Sequence, residues 1–144
     1  MPSKRVLLVE DNPADVELTE RAFKKARIAD VPAVARDGQE ALDYLFSPDC
    51  AAAAEQAPAL ILLDLKLPKL DGFEVLERVR ANFRTRLVPV VILTSSSEMA
   101  DVIRSYECGA NSYLRKPVDF DLFVDMVKHC YNYWLVLNEA PPPV

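Results

Sequence analysis

Ala59-Leu60-Ile61-Leu62-Leu63-Asp64 is the stretch that decides the fold: an unbroken apolar run that stops at a carboxylate. A strand with one wet face alternates apolar and polar side chains, whereas a continuous apolar run is what a strand buried on both faces looks like. The run therefore predicts the central strand of a parallel sheet, covered by helices on both sides. Asp64 is poorly explained as a cap or turn residue, because a clearer helix cap follows at Asp71.

Outward from this strand, the chain alternates. Val6-Leu7-Leu8-Val9 is a short apolar segment ending at Glu10-Asp11, and Asn12-Pro13 then supplies a cap with proline in the first turn of a helix reaching about Arg27. Val31 to Ala35 reads as a weaker second strand ending at Asp37-Gly38, and Ala41, Leu42, Leu45 and Phe46 form one face of the helix that follows. Residues 47–58 carry two prolines and weak patterning, and read as an insertion. Asp71-Gly72-Phe73-Glu74 has the form of a capping box, opening a helix lined by Phe73, Leu76, Val79 and Phe83. Leu87 to Leu93 is a fourth strand. Ser95-x-x-Glu98 is a second capping-box pattern, ahead of a helix whose buried face is expected to be Met99, Val102, Ile103 and Tyr106, stopped by Gly109. Asn111 to Arg115 is a short fifth strand, and a long helix is expected from about Asp119 to Asn138.

Five such alternations predict an α/β fold: a doubly wound, five-stranded parallel sheet with five helices, ligands binding at the carboxyl ends of the strands. Residues 1–138 are expected to form one domain, followed by a proline-rich tail, 139–144, and no output domain.

The chain has 144 residues and a formal net charge of -5, which repels a phosphate backbone, so nucleic acid is not expected as a direct partner. No apolar stretch approaches the ~20 residues of a bilayer span, and the N-terminus lacks a signal-peptide apolar region; a cytoplasmic protein is expected. Cys50, Cys108 and Cys130 fit neither a disulfide framework nor a zinc site. His129, the only histidine, reads as a surface or partly packed side chain.

Strand one ends in Glu10-Asp11, strand three in Asp64, strand four in Thr94 and strand five in Lys116, so these residues should converge on one edge. Carboxylates brought that close raise one another's pKa unless a cation offsets the repulsion. Mg²⁺ suits such a place, since it takes oxygen ligands and commonly bridges carboxylates to a phosphate. Phosphoryl chemistry follows as the natural hypothesis, with Asp64 as nucleophile, Lys116 neutralising charge and Thr94 donating a hydroxyl. Taken singly, Glu10, Asp11, Thr94, Tyr113 and Lys116 have ordinary capping, loop or packing explanations.

Leu8-Val9-Glu10-Asp11-Asn12, Leu62 to Gly72, Leu93-Thr94-Ser95 and Tyr113-Leu114-Arg115-Lys116-Pro117 resemble the receiver domains of two-component response regulators, over residues 4 to about 138. The resemblance implies the flavodoxin-like strand order 2-1-3-4-5. It implies Asp64 as phosphoacceptor, Mg²⁺ held by Asp11, Asp64 and the backbone carbonyl of Lys66 with Glu10 as an outer acidic partner, and Lys116 and Thr94 on the phosphoryl group. It also implies Thr94 and Tyr113 as switch residues, a cis Lys116–Pro117 bond, and a histidine kinase as phosphoryl donor. Such a protein is a phosphoacceptor that assists its own phosphorylation and slow dephosphorylation, not an enzyme with a separate substrate. Glu10 stands where many receivers have Asp, and Lys66 and Ser96 occupy positions that tune phosphate lifetime in the family.

Phe123, Val127, Cys130, Trp134 and Leu137 form one apolar stripe of the last helix, and Val124, Tyr131, Leu135 and Asn138 a second line. A further burial surface is thus expected: a homodimer through helix four, strand five, helix five and the C-terminal extension, with Tyr131, Trp134 and Leu135 as interface residues. The segment Tyr133 to Glu139 is similar to single-domain regulators paired with bacterial phytochrome histidine kinases. Rival readings are a receiver that docks partners without being phosphorylated, an Asp-nucleophile phosphatase of the haloacid dehalogenase type, which expects a second Asp where this chain has Lys66, and a flavodoxin, which expects a Ser/Thr/Gly-rich loop where this chain has Glu10-Asp11-Asn12-Pro13.

Overall fold

The computed structural model describes residues 5–47 and 57–142. Its strands are β1 (Val6–Val9), β2 (Ala33–Ala35), β3 (Leu60–Leu63), β4 (Val90–Thr94) and β5 (Ser112–Arg115). Its helices are α1 (Pro13–Lys25), α2 (Gly38–Phe46), α3 (Gly72–Ala81), α4 (Met99–Glu107) and α5 (Phe120–Tyr131), with a π-helical segment, Asn132–Leu137, continuing α5. The sheet is all parallel in the order β2-β1-β3-β4-β5, as expected. Most of the expected insertion, 48–56, lies outside the described residues. Among the described residues no helix is long and apolar enough to cross a membrane.

Every residue of β1, β3 and β4 is buried, which is why those strands read as unbroken apolar runs. Alternate side chains supply two cores. Leu7, Val9, Ile61, Leu63, Val90 and Ile92 face α2 and α3, while Val6, Leu8, Leu60, Leu62, Val91 and Leu93 face Phe23 of α1 and Phe123, Val124 and Val127 of α5. Each fully buried aliphatic side chain contributes roughly 1.5–3 kcal/mol.

Local signals set most helix starts. Asn12 Oδ1 accepts from the amides of Ala14 and Asp15, Asp37 accepts from Glu40, and Asp71 and Glu74 close the expected capping box. Gly109, at φ 102°, follows α4 in the left-handed conformation that favours glycine.

Several expectations are corrected. Ser95 and Glu98 form no capping box: Glu98 is the N-cap of α4 and makes no side-chain cap bond. Of the stripe expected to be buried on α4, Met99, Ile103 and Tyr106 face outward, 69%, 53% and 50% exposed, while Val102 is half-buried, and Ser105 is the one buried residue of that helix. Phe83 is exposed because α3 has already ended at Ala81. β4 starts at Val90, leaving Leu87 exposed in the preceding turn. The last helix is α-helical only to Tyr131, and then widens to π geometry. No peptide bond is cis among the described residues, so Lys116–Pro117 is trans, the form amides prefer even before proline.

Candidate functional site

Sheet register assembles the site. Val9 pairs with Leu63, so the next residues along, Glu10 and Asp64, leave the sheet side by side. Thr94 pairs with Arg115, which places Lys116 just beyond the end of β5, where its amide donates to the Thr94 carbonyl at 2.8 Å. Asp11, immediately before the cap of α1, completes a group in which Glu10, Asp11 and Asp64 each bring a carboxylate oxygen within 4.8 Å of the others.

The loop from β3 to α3 is shaped around Asp64. The Leu65 amide donates to Asp64 Oδ1 at 2.7 Å, and the Gly72 amide donates to the Leu65 carbonyl at 2.8 Å. That approach requires glycine, since a Cβ at Gly72 would lie 2.3 Å from the Asp64 carbonyl oxygen and 2.7 Å from Leu65 Cα. Lys69 takes a left-handed φ of 68° in the same loop.

Lys116 is the cationic centre. Its ammonium donates to Glu10, lies 3.4 Å from Asp15 Oδ2 and 3.7 Å from Asp64 Oδ2. Glu10 is 2% exposed, and burial pushes its carboxyl up to about 7 against the opposing pull of the Lys116 hydrogen bond. Burial alone would lower the Lys116 ammonium, but the Glu10 hydrogen bond and the charges of Asp64, Glu10 and Asp15 outweigh it and hold the group above its ordinary range. The ammonium therefore stays charged and offsets only part of the negative charge around it.

The carboxylates of Glu10, Asp11 and Asp64 form an all-oxygen donor set for a hard divalent cation. Lys66 lines a groove of about 420 Å³ together with Asp11, Leu65, Phe73, Asp101 and Arg104. Thr94 is buried, and its Oγ1 accepts from the Ser96 amide at 3.2 Å. Tyr113 is half-buried and donates from its hydroxyl to the Ser96 carbonyl at 3.0 Å.

Sequence reading missed Asp15, which sits on α1 and meets Lys116 only through the fold, and Asp101, whose Oδ2 accepts from the Ser96 hydroxyl at 2.6 Å. The three expected interface residues turn toward their own domain. Leu135 is buried, Trp134 is half-buried, and Tyr131 donates to Asp30 and meets the Phe23 ring edge-on at 6.1 Å. The outward apolar residues of that segment are Tyr133, Val136 and Leu137.

Comparison with known proteins places this geometry. The profile described as response regulator receiver domain matches residues 6–128. Response regulator Rcp1 of Synechocystis is 40% identical over 140 residues, spanning 97% of this chain and 95% of its own length. The crystal structure of its Mn(2+)-bound form matches with a TM-score of 0.83 at 38% identity, over 97% of this chain and all of the other. The phosphorylated cyanobacterial phytochrome response regulator RcpA matches with a TM-score of 0.86 at 35% identity, over 98% of this chain and 100% of that one. The bacteriophytochrome response regulator RtBRR is 49% identical with a TM-score of 0.75, covering 98% of this chain and 86% of its own.

Proposed function

The chain belongs to the response regulator receiver domain family, and from that premise we propose that it accepts a phosphoryl group on Asp64 from the phosphohistidine of a histidine kinase, with Mg²⁺ as the assisting ion. The observation that carries this reading is the grouping of Asp64 with Glu10 and Asp11 on one side and the Lys116 ammonium, 3.7 Å away, on the other. A carboxylate nucleophile needs its approach to an anionic phosphoryl group made electrostatically tolerable, and little covalent help beyond that.

Glu10, Asp11 and Asp64, with the Lys66 carbonyl, would hold the divalent ion, which when bound supplies charge neutralisation for the transferring group. The remaining work falls to the chain itself. Asp64 Oδ2 attacks phosphorus, the bond from phosphorus to the donor breaks, and the donor leaves with the electron pair. The Leu65 amide holds Asp64 Oδ1, orienting the carboxylate. Lys116 keeps its proton and lends charge to the transferring group, and the Thr94 hydroxyl donates to it. This is a change the protein undergoes, not turnover of a separate substrate.

The kinase is of the phytochrome type in this proposal, a reading supported by the similarity to RcpA and RtBRR, described as phytochrome and bacteriophytochrome response regulators. We propose that the protein works in the cytoplasm and passes its signal on by protein contact. Homodimerisation through α4, β5, α5 and the C-terminal segment is supported by the outward Met99, Ile103, Tyr106 and Leu122, and by Tyr133, Val136 and Leu137. Incubation with an autophosphorylated phytochrome-type kinase tests the donor: the phosphoryl group should leave the kinase and appear on this chain only with Mg²⁺. Light scattering of Val136→Glu and Leu137→Glu variants should show monomers where the wild type is a dimer.

A further inference from the structure

Ser96 is used at every polar atom. Its amide donates to Thr94 Oγ1 at 3.2 Å, its carbonyl accepts from the Tyr113 hydroxyl at 3.0 Å, and its own hydroxyl donates to Asp101 Oδ2 at 2.6 Å while accepting from the Glu98 amide at 3.3 Å. The bond to Asp101 falls in the short range of charge-assisted O–H···O⁻ contacts.

Asp101 is in turn fixed in the first turn of α4. Its amide donates to the Glu98 carbonyl at 3.0 Å, and its carbonyl accepts from Ser105 Oγ at 2.7 Å, the one side chain of α4 that is fully buried. Elsewhere on that helix Met99, Ile103 and Tyr106 face outward, the N-cap makes no side-chain bond, and Arg104 lies over the Phe73 ring at 4.1 Å.

With Ser96 N–H on a lone pair of Thr94 Oγ1, the Thr94 proton is left for donation elsewhere. We propose that Asp101 is a positioning residue for phosphoryl transfer: by holding the Ser96 hydroxyl it fixes the turn that aims the Thr94 proton at the transferring phosphoryl group. The proposal rests on the phosphoacceptor reading of Asp64. A competing role for Asp101 is that of a negative charge complementing the N-terminal dipole of α4. The two roles separate in Asp101→Asn, which keeps an acceptor for Ser96 and removes the charge.

The test is the rate of phosphorylation by acetyl phosphate at saturating Mg²⁺, with urea midpoints recorded for every variant. Asp101→Ala should lower the saturating rate roughly 5-fold, about what one net hydrogen bond supports, without shifting the half-saturating donor concentration. Asp101→Asn should recover most of the loss. Ser96→Ala should match Asp101→Ala, and the double variant should be no slower than either, as expected of two ends of one interaction. In a Thr94→Ala background the effect of Asp101→Ala should vanish. A wild-type rate in Asp101→Ala, an Asp101→Asn as slow as the alanine variant, or additive single effects would each overturn the positioning role. A wild type that takes up no phosphoryl group overturns both this role and the phosphoacceptor reading, whereas a labelled wild type with an unaffected Asp101→Ala overturns this role alone.

Discussion

Lys116 Nζ lies 3.7 Å from Asp64 Oδ2 while it is hydrogen-bonded to Glu10, so one ammonium from the end of β5 serves carboxylates at the ends of both β1 and β3. The arrangement ties the sheet's central strands to its edge strand at the point where charge is most concentrated, and it makes stability and reactivity depend on the same side chain.

Replacing that ammonium isolates its structural share. Lys116→Met leaves Glu10 buried without its cationic partner, and the carboxyl escapes part of the penalty by taking up a proton. We expect a loss of about 2 kcal/mol in urea unfolding at pH 8 without metal, the scale of one buried polar group left unpaired. Saturating Mg²⁺ should recover part of it, because the ion supplies the missing positive charge. Unchanged stability would show that Lys116 does not neutralise Glu10.

The pH dependence of the metal-free protein follows from the Glu10 carboxyl, which burial raises from 4.5 to about 7. A folded-state pKa above the unfolded value means that the folded protein holds the proton more tightly. The stability this contributes is complete below about pH 4.5 and is lost as pH rises through about 7. Divalent-ion affinity should run the other way, rising over the same window as the proton is displaced. Glu10→Gln should flatten both curves, and urea midpoints and metal titrations at pH 5.5 to 8 would check them.

Gly72→Ala tests the loop that carries Asp64. The added methyl would sit 2.3 Å from the Asp64 carbonyl oxygen, a backbone atom with no flexible end to swing aside. A cost of about 2 kcal/mol, typical of overpacking, is expected in urea unfolding. Weaker Mg²⁺ binding should accompany it in a calorimetric titration, since the Leu65 amide that orients Asp64 must shift.

At the other end of the molecule, burial and then the hydrogen bond to Asp30 push the Tyr131 phenol up to about 12. The folded state thus favours the neutral phenol. Its contribution is complete below the ordinary value of 10.0 and disappears as pH rises through about 12. Tyr131→Phe should remove part of the alkaline fall in stability, and tyrosinate absorbance should show one late-titrating phenol lost in the variant.

Much of this was readable in sequence because the site is written at strand ends. Leu63-Asp64, Val9-Glu10-Asp11 and Leu93-Thr94 are local patterns, and parallel register alone brings them together. What escaped depends on what covers a face, which periodicity does not encode. Met99, Ile103 and Tyr106 repeat as a buried helical face would, yet half or more of each side chain is exposed in the described fold. Ser95 and Glu98 had capping-box spacing, but the neighbouring Ser96 took the hydrogen bonds that organise the turn. The Asp15 contact with Lys116 joins α1 to the end of β5, across 101 positions of sequence, and no local pattern announces it.

Whether Asp64 receives the phosphoryl group is read from intact-protein mass spectrometry after incubation with acetyl phosphate and Mg²⁺. The wild type should gain one phosphoryl group, absent when Mg²⁺ is chelated and absent in Asp64→Asn. A wild type of unchanged mass, or an Asp64→Asn variant that still gains the group, would show that Asp64 is not the acceptor.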